Sequence, residues 1–270
     1  MEKTSTTVSQ GMYIVFGVVF AGLFAMTIML AKLGKASWIK IRALPALEAL
    51  RDSVGRCTEM GKSVIINPGE PSGYQTATMG PAENIAHFIA GNALLSYIAG
   101  MTAKNNVKLL VPISFADTIA ITQETVRAAY IKAGKESAFD VSNIYFVASQ
   151  DAAMNAYMND LVIRERPGLF VTFAVSGTSF QQDAMAREVG AIVIGGVARV
   201  SQLGPKIALC DYVLMGDELY TAGAYVSGDQ SRISTVLATD IVKGVFVTLM
   251  IAGKIAITAG SPILWNLFKA

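Results

Sequence analysis

Six short polar segments hold the groups of this chain best suited to grip a ligand: Asn67-Pro-Gly-Glu-Pro-Ser-Gly73, Ser114-Phe-Ala-Asp117, Ser149-Gln-Asp151, Ser176-Gly-Thr-Ser179, Gly195-Gly196 and Gly216-Asp-Glu218. Each follows a run of β-branched or otherwise apolar residues, and in open parallel sheets ligands bind beyond the carboxyl ends of such strands. Ser176-Gly-Thr-Ser179 is the strongest anion cradle among them. It opens a helix-forming stretch whose first N–H groups are free, and Gly177 lets the backbone approach a phosphate or carboxylate. Asn67, Gly69, Ser114, Ser176, Gly177, Thr178 and Ser179 are therefore the candidate binding residues. The same serines and threonines equally suit plain helix N-caps, and the sequence leaves that alternative open.

Bond-breaking chemistry has weaker footing. His87 is the only histidine, and it stands in a stretch otherwise devoted to packing, so neither a His-rich metal site nor a serine hydrolase with its G-x-S-x-G elbow fits. Cys57 and Cys210 lie far apart in patterns of buried positions, which argues against a disulfide or a thiolate metal site. Neither G-x-G-x-x-G nor G-x-x-x-x-G-K-[ST] occurs, so nucleotide binding has no motif behind it. Asp117, Asp151, Asp217 and Glu218 would hold Mg²⁺ only if they converged, and each also stands in a helix first turn, where the helix dipole favours an acid. The expectation is no catalytic residue, no metal and no cofactor.

The elements that must position these loops alternate regularly. Strand-forming runs cover Ser63–Asn67, Val107–Ile113, Asn143–Ala148, Leu169–Val175, Ala191–Val197 and Tyr212–Met215, and helix-forming stretches cover Ala46–Met60, Ala82–Lys104, Asp117–Ala133, Ala152–Arg166, Phe180–Val189 and Asp217–Tyr225. Such alternation predicts a Rossmann-like α/β domain with an open, mostly parallel sheet of about six strands. Pro45 and Pro81 fall at helix starts and Gly134 and Gly190 at helix ends. Ser114 with Asp117 and Thr178 with Gln181 have capping-box spacing. From Ile85 to Met101 the helical stretch is apolar nearly all round, which places it deep in the domain or at a subunit interface.

Composition adds a second requirement. With 53% hydrophobic and 16% charged residues and a mean hydropathy of +0.47, the chain is too apolar for a soluble domain of 270 residues. Met12 to Ala31 is an uncharged run of about 20 residues, the length that crosses a hydrocarbon core of roughly 30 Å as a helix. Lys32, Lys35, Lys40 and Arg42 follow it, so the positive-inside rule puts the next domain in the cytoplasm. A second apolar stretch begins near Asp240 and carries Lys254 within it, where snorkelling or a polar contact between helices or subunits is required. The expected order is an external tail over 1–11, a span over 12–33, a cytoplasmic domain over 34–239, and a second span with the chain end over 240–270. Both termini then lie outside the inner membrane. Gly17, Ala21 and Ala25 on the first span, and Ala252, Ala256 and Gly260 on the second, are spaced for close helix approach, so with Lys254 they are the candidate membrane and oligomer contacts. The net charge of +2, without a basic stripe, gives nucleic acid no footing. The expected partners are the bilayer, further copies of this chain and other membrane proteins.

Several blocks carry a family likeness: Ile41-Arg-Ala-Leu-Pro-Ala-Leu-Glu-Ala-Leu50, Val54-Gly-Arg-Cys-Thr-Glu-Met-Gly-Lys-Ser-Val-Ile-Ile-Asn-Pro-Gly69, Val126-Arg-Ala-Ala-Tyr-Ile-Lys-Ala-Gly134, Cys210-Asp-Tyr-Val-Leu-Met-Gly-Asp-Glu-Leu-Tyr-Thr-Ala-Gly-Ala-Tyr-Val-Ser227 and Asp240-Ile-Val-Lys-Gly244. Together they resemble a prokaryotic membrane-anchored domain family of unknown function. The resemblance implies one integral unit, spans included, and transfers no functional residue. Three functions follow in order of expectation: a self-associating, non-enzymatic membrane scaffold; a sensing module that binds a nucleotide or acidic metabolite at the strand-end loops; and an oligomeric pore or transport component built around Lys254.

Overall fold

The computed structural model of the protein describes residues 17–18, 20–26, 28–29, 44–69, 81–173, 179–197, 200–227, 240–248, 251 and 258. The chain divides into two units, Arg42–Ser227 and the joined ends Met1–Ile41 with Gly228–Ala270.

In the central unit six strands, β1 (Val64–Asn67), β2 (Leu109–Ile113), β3 (Ile144–Phe146), β4 (Leu169–Thr172), β5 (Ile192–Val197) and β6 (Tyr212–Met215), form one sheet in the order β3-β2-β1-β4-β5-β6. Every pairing is parallel, so the expected mostly parallel sheet is wholly parallel. Seven helices belong to this unit among the described residues: α1 (Pro45–Met60), α2 (Pro81–Asn105), α3 (Ile119–Lys132), α4 (Asp151–Glu165), α5 (Ser179–Glu188), α6 (Val200–Leu209) and α7 (Asp217–Ser227).

Parallel crossovers cover both faces of the sheet, which is why β1, β2 and β4 are buried along their whole length. Alternate strand residues feed two cores. Val64, Ile66 and Val171 join Leu50 of α1, Leu94 and Ile98 of α2, Val126 of α3 and Leu219 of α7 on one face. Ile65, Phe170 and Val193 join Met154, Met158 and Leu161 of α4 and Ala186 of α5 on the other.

Of the two placements open to the apolar helix, the deep one holds. In α2, Leu94, Leu95, Ile98 and Ala99 are fully buried. Asn92 Nδ2 donates to Thr125 Oγ1 of α3 at 2.8 Å, and Gly223 of α7 lies so close that a Cβ there would stand 2.6 Å from the Ala93 Cβ. Gly134 and Gly190 end α3 and α5 with φ of +71° and +81°, as their positions foretold.

One helix goes unpredicted and one capping expectation fails. The unpredicted helix is α6, ten residues with Pro205 inside it. The missing N–H removes one helical bond, and burial of Lys206 holds the turn in place. Ser114 caps nothing: a short 3₁₀ turn, Ala116–Thr118, starts after Phe115 without a side-chain cap, and Thr118 Oγ1 donates to the Phe115 carbonyl at 2.8 Å.

In the unit of joined ends, described residues of both terminal segments are helical, and the rings of Phe20 and Phe246 stack with centroids 5.5 Å apart. Val18, Met29, Phe246, Val247 and Ile251 are all at least half exposed. Among the described residues no helix is long and apolar enough to cross a membrane. The expected spans, 12–33 and 240–270, fall in large part outside the described residues.

Candidate switch-point site

The chain runs outward from β1 through β2 to β3, then returns to the other side of β1 and runs through β4 to β6. The helices that follow β1 and β4 accordingly cover opposite faces, α2 one and α5 the other, and the ligand crevice of such folds lies where they part. In register, Asn67 at the end of β1 pairs with Thr172 at the end of β4.

Asn67 is 1% exposed. Its Oδ1 accepts from the Gly69 N–H at 3.1 Å, an Asx turn that bends the chain away from the strand. Its Nδ2 has no partner among the described residues. A buried amide donor left open costs on the order of 1–3 kcal/mol, which an acceptor atom placed there would recover. The turn is tight on two sides. Gly69 has φ of +101° with the Phe173 carbonyl 3.1 Å from where a Cβ would be, and a Cβ on Gly91 of α2 would lie 1.8 Å from the Pro68 carbonyl oxygen.

Across the register pair lies a buried ionic cluster. Thr172 Oγ1 donates to Asp183 Oδ1 at 2.6 Å, and Lys206 Nζ donates to Asp183 Oδ2 at 2.6 Å and to Thr172 Oγ1 at 2.7 Å. Gly195 of β5 makes room for it, since a Cβ there would meet Lys206 Cδ at 3.1 Å and Cys210 Sγ at 2.7 Å. The Lys206 ammonium also stands 5.9 Å from the centre of the Phe180 ring. Gln182 Nε2 donates to Asn155 Oδ1, Asn155 Nδ2 donates to the Asp151 carbonyl at 2.7 Å, and Gln182 Oε1 is left open. Polar groups from β1, β4, α4, α5 and α6 thus share one buried layer at the carboxyl edge of the sheet. Burial pushes the Asp151 carboxyl up, and burial with the nearby Asp183 carboxylate pushes the Cys210 thiol up to about 12.

Of the residues singled out from sequence, Asn67 and Gly69 stand in the crevice beside Thr172 and Phe173, and the wholly buried Ser179 opens α5. Ser114 lies just beyond β2, the neighbour of β1, with its buried Oγ unpartnered. Ser176, Gly177 and Thr178 lie outside the described residues, as do Lys254 and Ala256. Ala21 and Ala25 are exposed, and Gly17 has open space around it. Among the described residues no three His, Cys, Asp or Glu side chains come together to hold a metal ion. His87 is buried with its ring stacked on Tyr220 at 5.3 Å. Sequence reasoning missed Thr172, Asp183 and Lys206. One signal was available: a threonine inside an apolar strand buried on both faces needs a partner.

A cavity of about 290 Å³ opens at the opposite, amino edge of the sheet, lined by Cys57, Lys62, Ser63, Lys108 and Glu165 among others. It lies between strand beginnings and helix ends, away from the crevice.

Fold and crevice together define an all-parallel, doubly wound, Rossmann-like domain with a polar layer at its switch point. The chain belongs to the family described as Domain of unknown function (DUF6754), whose profile matches residues 2–268. Both apolar ends therefore fall within the same family unit as the sheet. No curated protein and no solved structure matches the chain.

Proposed function

We propose that this protein is a membrane-held binding module. Its two apolar terminal segments cross the cytoplasmic membrane, and its Rossmann-like domain, inside the cell, takes a nucleotide or small acidic metabolite at the switch point. The observation that carries the reading is the buried, uncommitted Asn67 Nδ2 at the end of β1, in register with Thr172 at the end of β4. The first turn of α5 holds no acidic side chain, which leaves its N-terminal field available to an anion. The exposed Val18, Met29, Val247 and Ile251 support the membrane half of the reading, because water is a poor environment for such side chains at once.

Thermal melting of the full chain in detergent, against ATP, NAD⁺, inorganic phosphate and citrate, tests the binding. At a ligand concentration of about 100 Kd the stabilisation is about 2.7 kcal/mol, a rise of several degrees, and Asn67→Leu should abolish it. A flat response to the whole set overturns the proposal. Extraction of membranes at alkaline pH tests the anchor: the protein should stay with the bilayer, and release into the wash would refute it.

Self-association of a scaffold is the second reading, favoured by the exposed face of Gly17, Ala21 and Ala25 while Phe20 engages Phe246. Light scattering of the detergent complex should then show more than one copy, and Ala21→Leu should dissociate it. A single copy per micelle would rule it out.

A further inference from the structure

We propose that Lys206 is a positioning residue of the switch-point site: its ammonium locks the start of α5 to the end of β4. The purpose rests on the binding reading above, whereas the geometry stands on the buried cluster alone. Thr172, Asp183 and Lys206 are 0%, 0% and 1% exposed, and their three mutual hydrogen bonds of 2.6–2.7 Å close a ring. All three involve a charged donor or acceptor, which makes them short and strong, and a closed hydrogen-bonded ring in a low-dielectric interior is stiff.

Stability alone does not explain such a ring. Two charges taken out of water recover little beyond their desolvation cost, and apolar side chains of similar volume commonly do as well or better. Position explains it. Thr172 is the last residue of β4 and the register partner of Asn67, and Asp183 sits in the second turn of α5. Lys206, arriving from α6 over the space left by Gly195, donates to both and so adds a charged third leg to their direct bond. The ring fixes the distance between a strand end and a helix start on one side of the crevice, next to the end of β1 that carries Asn67. A site whose ligand contacts come from both needs that distance held to a fraction of an ångström. Gln182, next to Asp183, extends the brace to Asn155 of α4.

The test compares the full chain in detergent with Thr172→Val, Thr172→Ser and the apolar trio Thr172→Val/Asp183→Leu/Lys206→Met. Amide hydrogen exchange needs no ligand. In the trio, amides of Asp183–Glu188 should exchange at least tenfold faster, with those of β1, β2 and α2 within twofold of the parent. Thr172→Val should show the same pattern more weakly, so the test survives if the trio does not fold, and Thr172→Ser should restore the parent pattern. Uniform acceleration across the sheet, or no change in α5, overturns the proposal. With ATP and inorganic phosphate as probes, affinity should fall at least tenfold in the trio while its melting temperature stays within a few degrees of the parent. Undiminished affinity also overturns the proposal. A parent chain that binds neither these probes nor NAD⁺ or citrate refutes the binding reading instead, and the exchange pattern then decides alone whether Lys206 positions α5.

Discussion

The two edges of this sheet each carry a lysine–carboxylate pair, and the pairs could hardly differ more in surroundings. At the amino edge Lys108 meets Glu165 at 3.0 Å with side chains 52% and 24% exposed, whereas at the carboxyl edge Lys206 meets Asp183 at 2.6 Å with 1% and 0%. Water screens the first pair and is excluded from the second. The amino edge gathers helix ends, where cationic side chains complement the dipoles, and it has no need to bury charge. The carboxyl edge buries charge beside an open amide donor, at the point where the strand order reverses. On the binding reading proposed above, the difference separates an edge that closes the fold from one that holds a ligand.

The sharpest way to break that contrast is to unpair the buried charge. Lys206→Met leaves Asp183 and Thr172 without their cation in a dry interior, and removing one partner of such a pair costs about 3–5 kcal/mol. Urea unfolding of the detergent-solubilised chain should show that loss, and a cost below about 1 kcal/mol would place the pair in the same class as its exposed counterpart. Next in size is Gly91→Ala. The added methyl would fall 1.8 Å from the Pro68 carbonyl oxygen, so α2 or the turn after β1 must move. Overpacking of this kind costs about 1–3 kcal/mol, opposed by the roughly 1 kcal/mol that alanine gains over glycine within a helix. The expected net effect is a lower melting temperature together with lost ligand response, and an unchanged melt would show the turn to be free to shift.

Sequence logic reached the framework of the carboxyl edge and stopped short of its centre. All six strands announced themselves as apolar runs bounded by Gly, Pro, Ser or Asp. Asn67 was legible because it ends such a run immediately before Pro68-Gly69. Strand order was not legible, since it rests on pairings between distant segments. The ionic ring is harder still: its members are 11, 23 and 34 positions apart. Asp183 lies in a polar stretch that reads as a solvated helix face, and Lys206 follows Gly204-Pro205, which reads as a turn. The spacing of Ser114 to Asp117 suggests a cap that the 3₁₀ turn after Phe115 makes unnecessary.

The thiols sharpen the comparison through pH. Burial pushes Cys57, at the amino edge, up to about 11, and burial reinforced by Asp183 pushes Cys210, beside the ionic ring, up to about 12. In the unfolded chain both titrate near 9.0, so above that pH the unfolded state releases protons that the folded state keeps. Stability is therefore full below pH 9 and falls as pH rises toward 11 and 12, by on the order of 1 kcal/mol per thiol over the first unit. Urea midpoints from pH 8 to 11 should show the decline, and Cys57→Ala/Cys210→Ala should flatten it. A decline identical in the double variant would assign it to other groups.

Lys108→Ala should have the smallest effect. Its ammonium reaches both carboxylate oxygens of Glu165, at 3.1 and 3.0 Å, which is good geometry. Exposure nevertheless caps the value of the bond, because water competes for both ions, salt screens them, and two long side chains lose freedom to meet. Pairs of this kind contribute about 0–1 kcal/mol. Urea unfolding at low and at molar salt should put the loss within that range and shrink it as salt rises, while ligand response at the switch point stays at the parent level. A loss above about 2 kcal/mol, or a weakened ligand response, would mean that the amino edge bears on the site after all, and burial would then no longer be what distinguishes the two lysines.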